Sequence, residues 1–581
     1  MAAQIPLIWI TALVVLALLI IGALVFVKIY QARSEKDAFV TVVCVLALTS
    51  LLATVCLCPV DIALVSSTTN NHTGLKKHWA HPDTVANILY SLKIVYYCLY
   101  SLDAVMCLLV IPFTYFWYEE WDVETTRKQR LIGALKYSIF FVLLMVLLLL
   151  AGMFAPVARQ MKGHLDLDYF KKLMMENNGE RALTFIVGLL LCVGTVLFVL
   201  YTAPGLALTP MVLIKSIPSI SVTSATAATN DALAINRERQ RVLEAQYQGR
   251  GERPSSKDRR ELEALQREER TLVRRQRVAE ELRASRTTTF YSKLEAIGRP
   301  FKILFGVIIL VISILIFVSM LVTAIDKVQN SVCGKHCGYI LPNTNLFNPM
   351  NWLFVETSKF FPVDYILALL VVLLFFVATV VGVAFVGIRF LWVSLFQLRP
   401  GSTKPQGMLM STVMLTLTVL AINYAFTMIL APQYAHYGGQ KFCDHTVSAQ
   451  LASSGYLRSC SSHPELIREC NAQAPQDICT PTVVSTFINR ITMNFPLFGA
   501  FAFWAQFGFL GLFAVSTATA LMWTPRLGGR AAEEVEAEEE EGLLGSTGRR
   551  TRAAWEDLTG RAAARENRQS RTYGTSDASD V

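Results

Sequence analysis

The chain has 581 residues, of which 53% are hydrophobic and only 17% charged, with a formal net charge of +9. A soluble domain carries about a quarter charged residues. Here the deficit is concentrated in windows long enough to cross roughly 30 Å of hydrocarbon. A soluble enzyme and a nucleic-acid-binding protein are therefore excluded, and an all-α polytopic membrane protein in a lipid bilayer is expected.

Nine transmembrane helices are predicted, at 6–30, 38–65, 87–117, 131–157, 182–208, 303–325, 364–397, 407–431 and 495–523. The apolar core of the first is longer than the 7–15 residues of a signal peptide and has no basic residue before it, so it reads as an anchor. In this scheme residues 1–208 hold spans one to five, 209–302 a charged cytosolic insert, 303–525 spans six to nine, and 526–581 a tail.

Lys and Arg set the orientation. Arg33 and Lys36 follow span one, Arg127, Lys128 and Arg130 follow span three, and Arg399 and Lys404 follow span seven. Nineteen basic residues lie between 209 and 302, and the tail is rich in arginine. All of these share one face if the N-terminus is lumenal and the C-terminus cytosolic. The first loop on the lumenal side carries the acceptor triplet Asn71-His72-Thr73, a glycosylation candidate.

Between 209 and 302 the twelve acidic residues interleaved with the basic ones argue against nucleic acid. Two helical segments flank the turn "GRGERPSS", with Leu262, Leu265, Leu272 and Leu282 at roughly heptad spacing. A helical hairpin follows, either a solvated spacer or a surface for docking or dimerisation, which leaves a homodimer open. Just before span six, Tyr291-Ser-Lys-Leu294 fits the tyrosine signal read by clathrin adaptors. In the tail, Glu539 precedes Leu543-Leu544 as in an acidic dileucine signal, and the surrounding composition reads as disordered.

Twelve cysteines divide evenly. Cys44, Cys56, Cys58, Cys98, Cys107 and Cys192 lie in or beside spans. Cys333, Cys337, Cys443, Cys460, Cys470 and Cys479 fall in the two later lumenal loops, where disulfides persist. Up to three bridges are expected, with the pairing left open. "CGKHC" at 333–337 has an alternative reading as a zinc fragment.

The chain contains no GxxxxGK[ST], HExxH, GxSxG or DxHxxG motif. No catalytic residue, metal site or covalently bound cofactor is expected. Ionisable residues in or at the ends of spans are the functional candidates by default, above all the carboxylates Asp61, Asp103 and Asp364. Lys93 lies ten residues before Asp103 on the same span, and Glu119, Glu120 and Lys136 lie near the cytosolic interface. Asp103 is the most interior, as a packing partner or part of a pathway. Asp61 and Asp364 each follow Pro-Val at a span end on the lumenal side. Asp364 suits a helix start, where a carboxylate complements the dipole. Pro59 would bend or end span two and leave Asp61 in need of a partner.

Eight blocks occur in order: "PVDIALVS", "PFTYFWYEE", "YTAPGLALTPMVLIKS", "RPFKILFGV", "FNPMNWLF", "FPVDYILA", "LAPQYAHYGGQKF" and "CNAQAPQDICT". Together they resemble the lysosomal cobalamin transporter, or transport escort, family of limb-region-like membrane proteins, in particular its fungal members. The resemblance covers about 5–525. It implies nine spans, a glycosylated protein of the lysosomal or vacuolar membrane, and export of cobalamin as cargo to the cytosol. It also implies partnership with a lysosomal ABC half-transporter. A receptor or adaptor without a translocation path is the alternative reading.

Overall fold

In the computed structural model, nine helices among the described residues are long and apolar enough to cross a membrane. The structure describes residues 4–32, 37–70, 73–120, 127–154, 178–214, 286–331, 344–360, 362–390, 403–443 and most of 467–522, with shorter pieces in 232–273, 334–341 and 393–401. The helices are α1 (Gln4–Tyr30), α2 (Ala38–Ser66), α3 (Pro82–Glu119), α4 (Arg127–Phe154), α5 (Gly179–Ile214) and α6 (Arg286–Asn330). Then come the short α7 (Pro349–Thr357), α8 (Val363–Val386), α9 (Pro405–Leu430), the short α10 (Pro432–Tyr437) and α11 (Val483–Asn494), and finally α12 (Pro496–Met522). Three antiparallel hairpins join them: β1 (Thr69–Asn70) with β2 (Leu75–Lys76), β3 (Ile388–Phe390) with β4 (Val393–Phe396), and β5 (Lys441–Cys443) with β6 (Ile467–Glu469).

Local sequence explains the helix ends and irregularities. The Asp37 side chain caps α2 by accepting from the Phe39 and Val40 amides. Pro59 lies inside α2, yet the helix continues to Ser66, so proline neither ends the span nor frees Asp61 from it. In α3, α5 and at the end of α9 the turn widens to a π-helix, at Met106–Val110, Phe198–Thr202 and Phe426–Leu430. Each stretch ends two residues before a proline: Pro112, Pro204 and Pro432. A proline has no N–H to donate, and its ring clashes with the carbonyl four residues earlier. Those carbonyls, of Leu108, Leu200 and Met428, all fall within the widened turns. Span seven is shorter than expected. The helix stops at Val386 instead of 397 because Gly387 takes φ 77°, and the chain turns into β3–β4. Span six runs longer, to Asn330, which brings Lys327 into the helix.

Helix α9 is the most enclosed of the nine, packed against α2, α3, α5 and α8. α1 and α4 turn mostly apolar side chains outward, as lipid-facing helices do. Close approach within the bundle depends on small residues. A β-carbon on Gly194 would run into the Leu417 carbonyl, one on Gly205 into the Ala378 carbonyl, and one on Gly382 into the Tyr201 carbonyl. α7, α10, α11, β1–β2 and β5–β6 cover the end of the bundle where α2, α6 and α9 finish. That end bears the disulfides and is called the disulfide face below.

A second compact unit comprises residues Lys215–Arg299 and Thr524–Val581. Within it residues 232–243 are helical. Asn236 and Arg237 reach Glu268 and Glu269, both at 2.8 Å, and Leu233, Leu265 and Leu272 are buried.

Candidate functional site

The three carboxylates singled out from the sequence are all buried, and each is held differently. Asp103, in the middle of α3, accepts from two hydroxyls of α2: Ser50 Oγ at 2.6 Å and Thr54 Oγ1 at 2.9 Å. Removing a charge from water in an apolar bundle costs several kcal/mol. Two short charge-assisted bonds offset part of that cost and lock α3 against α2. Asp61 reaches across to α11, where its Oδ2 accepts from the Val484 amide at 2.8 Å. The residue preceding α11, Thr482, makes no capping bond of its own to that helix's amides. Asp61 therefore caps α11 from another span, at the positive end of its dipole. Asp364 lies in the first turn of α8, as the sequence suggested, and accepts from the Tyr434 hydroxyl at 3.0 Å. Tyr434 in turn stacks on Phe354 at 4.9 Å, and its amide donates to Asn351 Oδ1.

Asp61 and Asp103 belong to one polar seam between α2, α3 and α9. From the disulfide face inward it holds Asp61 with Tyr96, then Tyr100 against Asn423, then Asp103 with Ser50 and Thr54. Beyond these come Cys107 beside Thr416 and Cys44 beside Thr412. Thr412, Thr416 and Asn423 are four and seven residues apart, one stripe of an α-helix. Tyr96 lies beside Asp61 and Tyr100 beside Asn423, yet Asp61 Oδ1, Tyr96 Oη and the Asn423 amide atoms make no well-aligned hydrogen bond among the described residues.

Above the seam the disulfide face holds a cavity of about 190 Å³. Lys327 of α6, Tyr424 and Thr427 of α9, Gln433 and His436 of α10, and Asn489 of α11 all contribute to its wall. The widened turn Phe426–Leu430 sets Thr427 and Met428 in that wall. Burial pushes His436 down to about 4, because a charged imidazole would lose its hydration there. A second cleft of about 240 Å³ lies beside Glu180, which binds Lys93 at 3.0 Å, Arg490 at 2.6 Å and the Tyr97 hydroxyl. That cluster ties α3, α5 and α11 together, and it accounts for Lys93.

Of the six loop cysteines, Cys470 and Cys479 form a disulfide, and Cys443 is also disulfide-bonded. Cys44, Cys56, Cys58, Cys98, Cys107 and Cys192 are free. Cys333, Cys337 and Cys460 lie outside the described residues, as do Asn71 and the tail residues Glu539, Leu543 and Leu544. Tyr291 and Leu294 lie on the backbone of α6. Among the described residues no cluster of His, Cys, Asp or Glu could hold a metal ion.

Sequence reasoning missed Lys327 and Asn423. Both left a signal: Lys327 is a cation at the span end where basic residues are depleted, and Asn423 is an amide in the middle of an apolar span.

Residues 8–295 match the family described as LMBR1-like membrane protein. The chain is 54% identical over 573 residues to the probable lysosomal cobalamin transporter of Sclerotinia sclerotiorum, covering 96% of each chain. It is 52% identical to the proteins of the same name from Ajellomyces capsulatus and Podospora anserina, again over 96–98% of each chain. No solved structure matches it significantly. The chain belongs to the LMBR1-like membrane protein family whose fungal members bear the name probable lysosomal cobalamin transporter.

Proposed function

We propose that the chain is a multi-pass protein of the lysosomal or vacuolar membrane that takes part in exporting cobalamin from lumen to cytosol. The disulfide face is assigned to the lumen and the basic insert to the cytosol. Bridged Cys443, Cys470 and Cys479 support this, because disulfides persist in oxidising compartments. So does the charge asymmetry of the loops.

The observation that carries the reading is the buried polar seam along α9, directly beneath a lumenal cavity. Intramembrane carboxylates facing a bundle interior mark solute or ion pathways. Drug-sized ligands need cavities of about 300–1,000 Å³. A cavity of about 190 Å³ is too small for a corrin ring, which in this reading makes the observed arrangement a closed one. The chain has no P-loop of its own. This favours an escort or subunit role beside an ABC half-transporter that supplies ATP hydrolysis, with clathrin adaptors reading Tyr291–Leu294 or Leu543-Leu544 for delivery. No step in this reading requires the chain to be an enzyme.

The test is movement of labelled cobalamin into liposomes holding the purified full-length protein, with and without the ABC partner. Movement with the chain alone identifies a carrier. Movement only with both identifies an escort or subunit, and none in either case rules out a part in export.

A further inference from the structure

Lys327 presents a buried amino group with no acidic partner among the described residues. It is 4% exposed, it sits near the end of α6, and its side chain lines the 190 Å³ cavity. Among the described residues its ammonium has no hydrogen-bond or ion-pair partner. None of the described residues lining the cavity is acidic. Asp326, its neighbour in the chain, and Glu469, bonded to Gln433 of the wall, are engaged elsewhere. Asp326 accepts from the Asn330 side chain at 2.6 Å and the Asn345 amide at 3.0 Å. Glu469 accepts from Gln433 Nε2 at 3.0 Å. The Gln433 carbonyl oxygen is taken by Thr344 at 2.8 Å and Asn351 at 3.2 Å. What the wall leaves free is the Lys327 ammonium, a donor of three bonds, and Asn489 Oδ1, a buried acceptor without a partner.

A buried charge without a counter-charge costs several kcal/mol. Among the described wall residues Thr344, Gln433, Thr427 and Thr492 already make hydrogen bonds, whereas the Lys327 ammonium and Asn489 Oδ1 face the cavity without one. We propose that the cavity binds a singly charged oxyanionic group, a carboxylate or a phosphodiester, with the Lys327 ammonium as its counter-ion. One ammonium balances one negative charge. The volume admits such a group, though not a large molecule whole, so a bigger ligand would enter by this end only. Asn489 Oδ1 offers an acceptor to an N–H or O–H next to the anion. The inference is independent of cobalamin export, since it rests on the charge balance of the wall and holds whether or not any solute crosses the seam.

The experiment uses the purified full-length protein and reads its thermal midpoint by intrinsic fluorescence. Sodium acetate and sodium dimethyl phosphate are titrated at constant ionic strength in detergent micelles free of phospholipid. A parallel arm uses nanodiscs of phosphatidylcholine alone or with phosphatidylglycerol. Wild type is expected to give a saturable rise in midpoint, and tetramethylammonium chloride none. Lys327→Met is expected to weaken the response at least tenfold, whereas Lys327→Arg keeps it within about threefold. Should Lys327→Met not fold, Asn489→Leu, which keeps the cation but fills the wall beside it, is the second variant and is expected to reduce the response. A response to the soluble probes assigns the anion to the lumenal solution. A response confined to phosphatidylglycerol assigns it to a lipid headgroup. No saturable rise in any arm, or an equal response in wild type and the variants, overturns the proposal.

Discussion

Asp61 and Asp364 stand in the same Pro-Val-Asp context, yet the chain uses them to fasten different pieces of one layer. Asp61 holds the first turn of α11 through the Val484 amide, and Asp364 holds α10 through Tyr434. Asp61→Ala removes the cap and is expected to destabilise the protein by about 1–2 kcal/mol. Faster amide hydrogen exchange confined to the first turn of α11 would check it. A double-mutant cycle of Asp364→Ala with Tyr434→Phe is expected to give a coupling near 1 kcal/mol, read from thermal midpoints. His436 supplies a pH dependence. Its folded-state pKa is depressed by burial, so above the ordinary value of about 6.5 it is neutral folded or unfolded and contributes nothing. As pH falls from there toward about 4, the unfolded chain takes up a proton that the folded chain refuses. Stability should therefore drop by roughly 2 kcal/mol between pH 7.5 and 5. His436→Gln should flatten that segment of the midpoint-against-pH curve. The carboxylates could be picked out from sequence because charge is conspicuous in an apolar run. Their partners could not be, because Val484 is 423 residues from Asp61 and supplies a backbone amide that any residue would supply.

At the scale of elements, the bundle is assembled by close approach and by a few shared anchors. Gly205 and Gly382 let α5 and α8 cross with backbone against backbone. Gly382→Leu would drive a side chain into the Tyr201 carbonyl and is expected to cost 3 kcal/mol or about that, the upper end for overpacking. Loss of monodisperse protein in gel filtration would check it, against Gly511→Leu, where a β-carbon meets open space. Glu180 anchors three helices at once through Lys93, Arg490 and Tyr97. The existence and order of the spans were legible, because twenty apolar residues in water-free surroundings have little choice but helix. Their ends were less so. The early stop of α8 depends on the left-handed turn at Gly387, and the widened turns depend on how the neighbours of three prolines accommodate displaced carbonyls.

At the scale of the molecule, the disulfide face is a lid of short helices and hairpins over the seam. The Cys470–Cys479 bridge closes a small loop just before α11 begins. Cys470→Ser is expected to lower stability by about 2–3 kcal/mol in the chain-entropy account, read as a fall in thermal midpoint that Cys479→Ser matches. The sequence by itself determined the class, the nine spans and their order, the sorting of bridged from free cysteines among those described, and the family. The class, the spans and the cysteine sorting follow from composition and spacing along the chain, which hydrocarbon and redox chemistry act on directly; the family follows from the resemblance of eight sequence blocks to known members. The tertiary structure decided that Asp61, Asp103 and Asn423 share one seam, that Asp61 caps a helix remote in sequence, and that Lys327 faces a cavity with no acid in its described wall. Those facts depend on which helices become neighbours, and helix neighbours are chosen by small-residue contact and side-chain fit, which leave almost no trace in the order of residues along a single span.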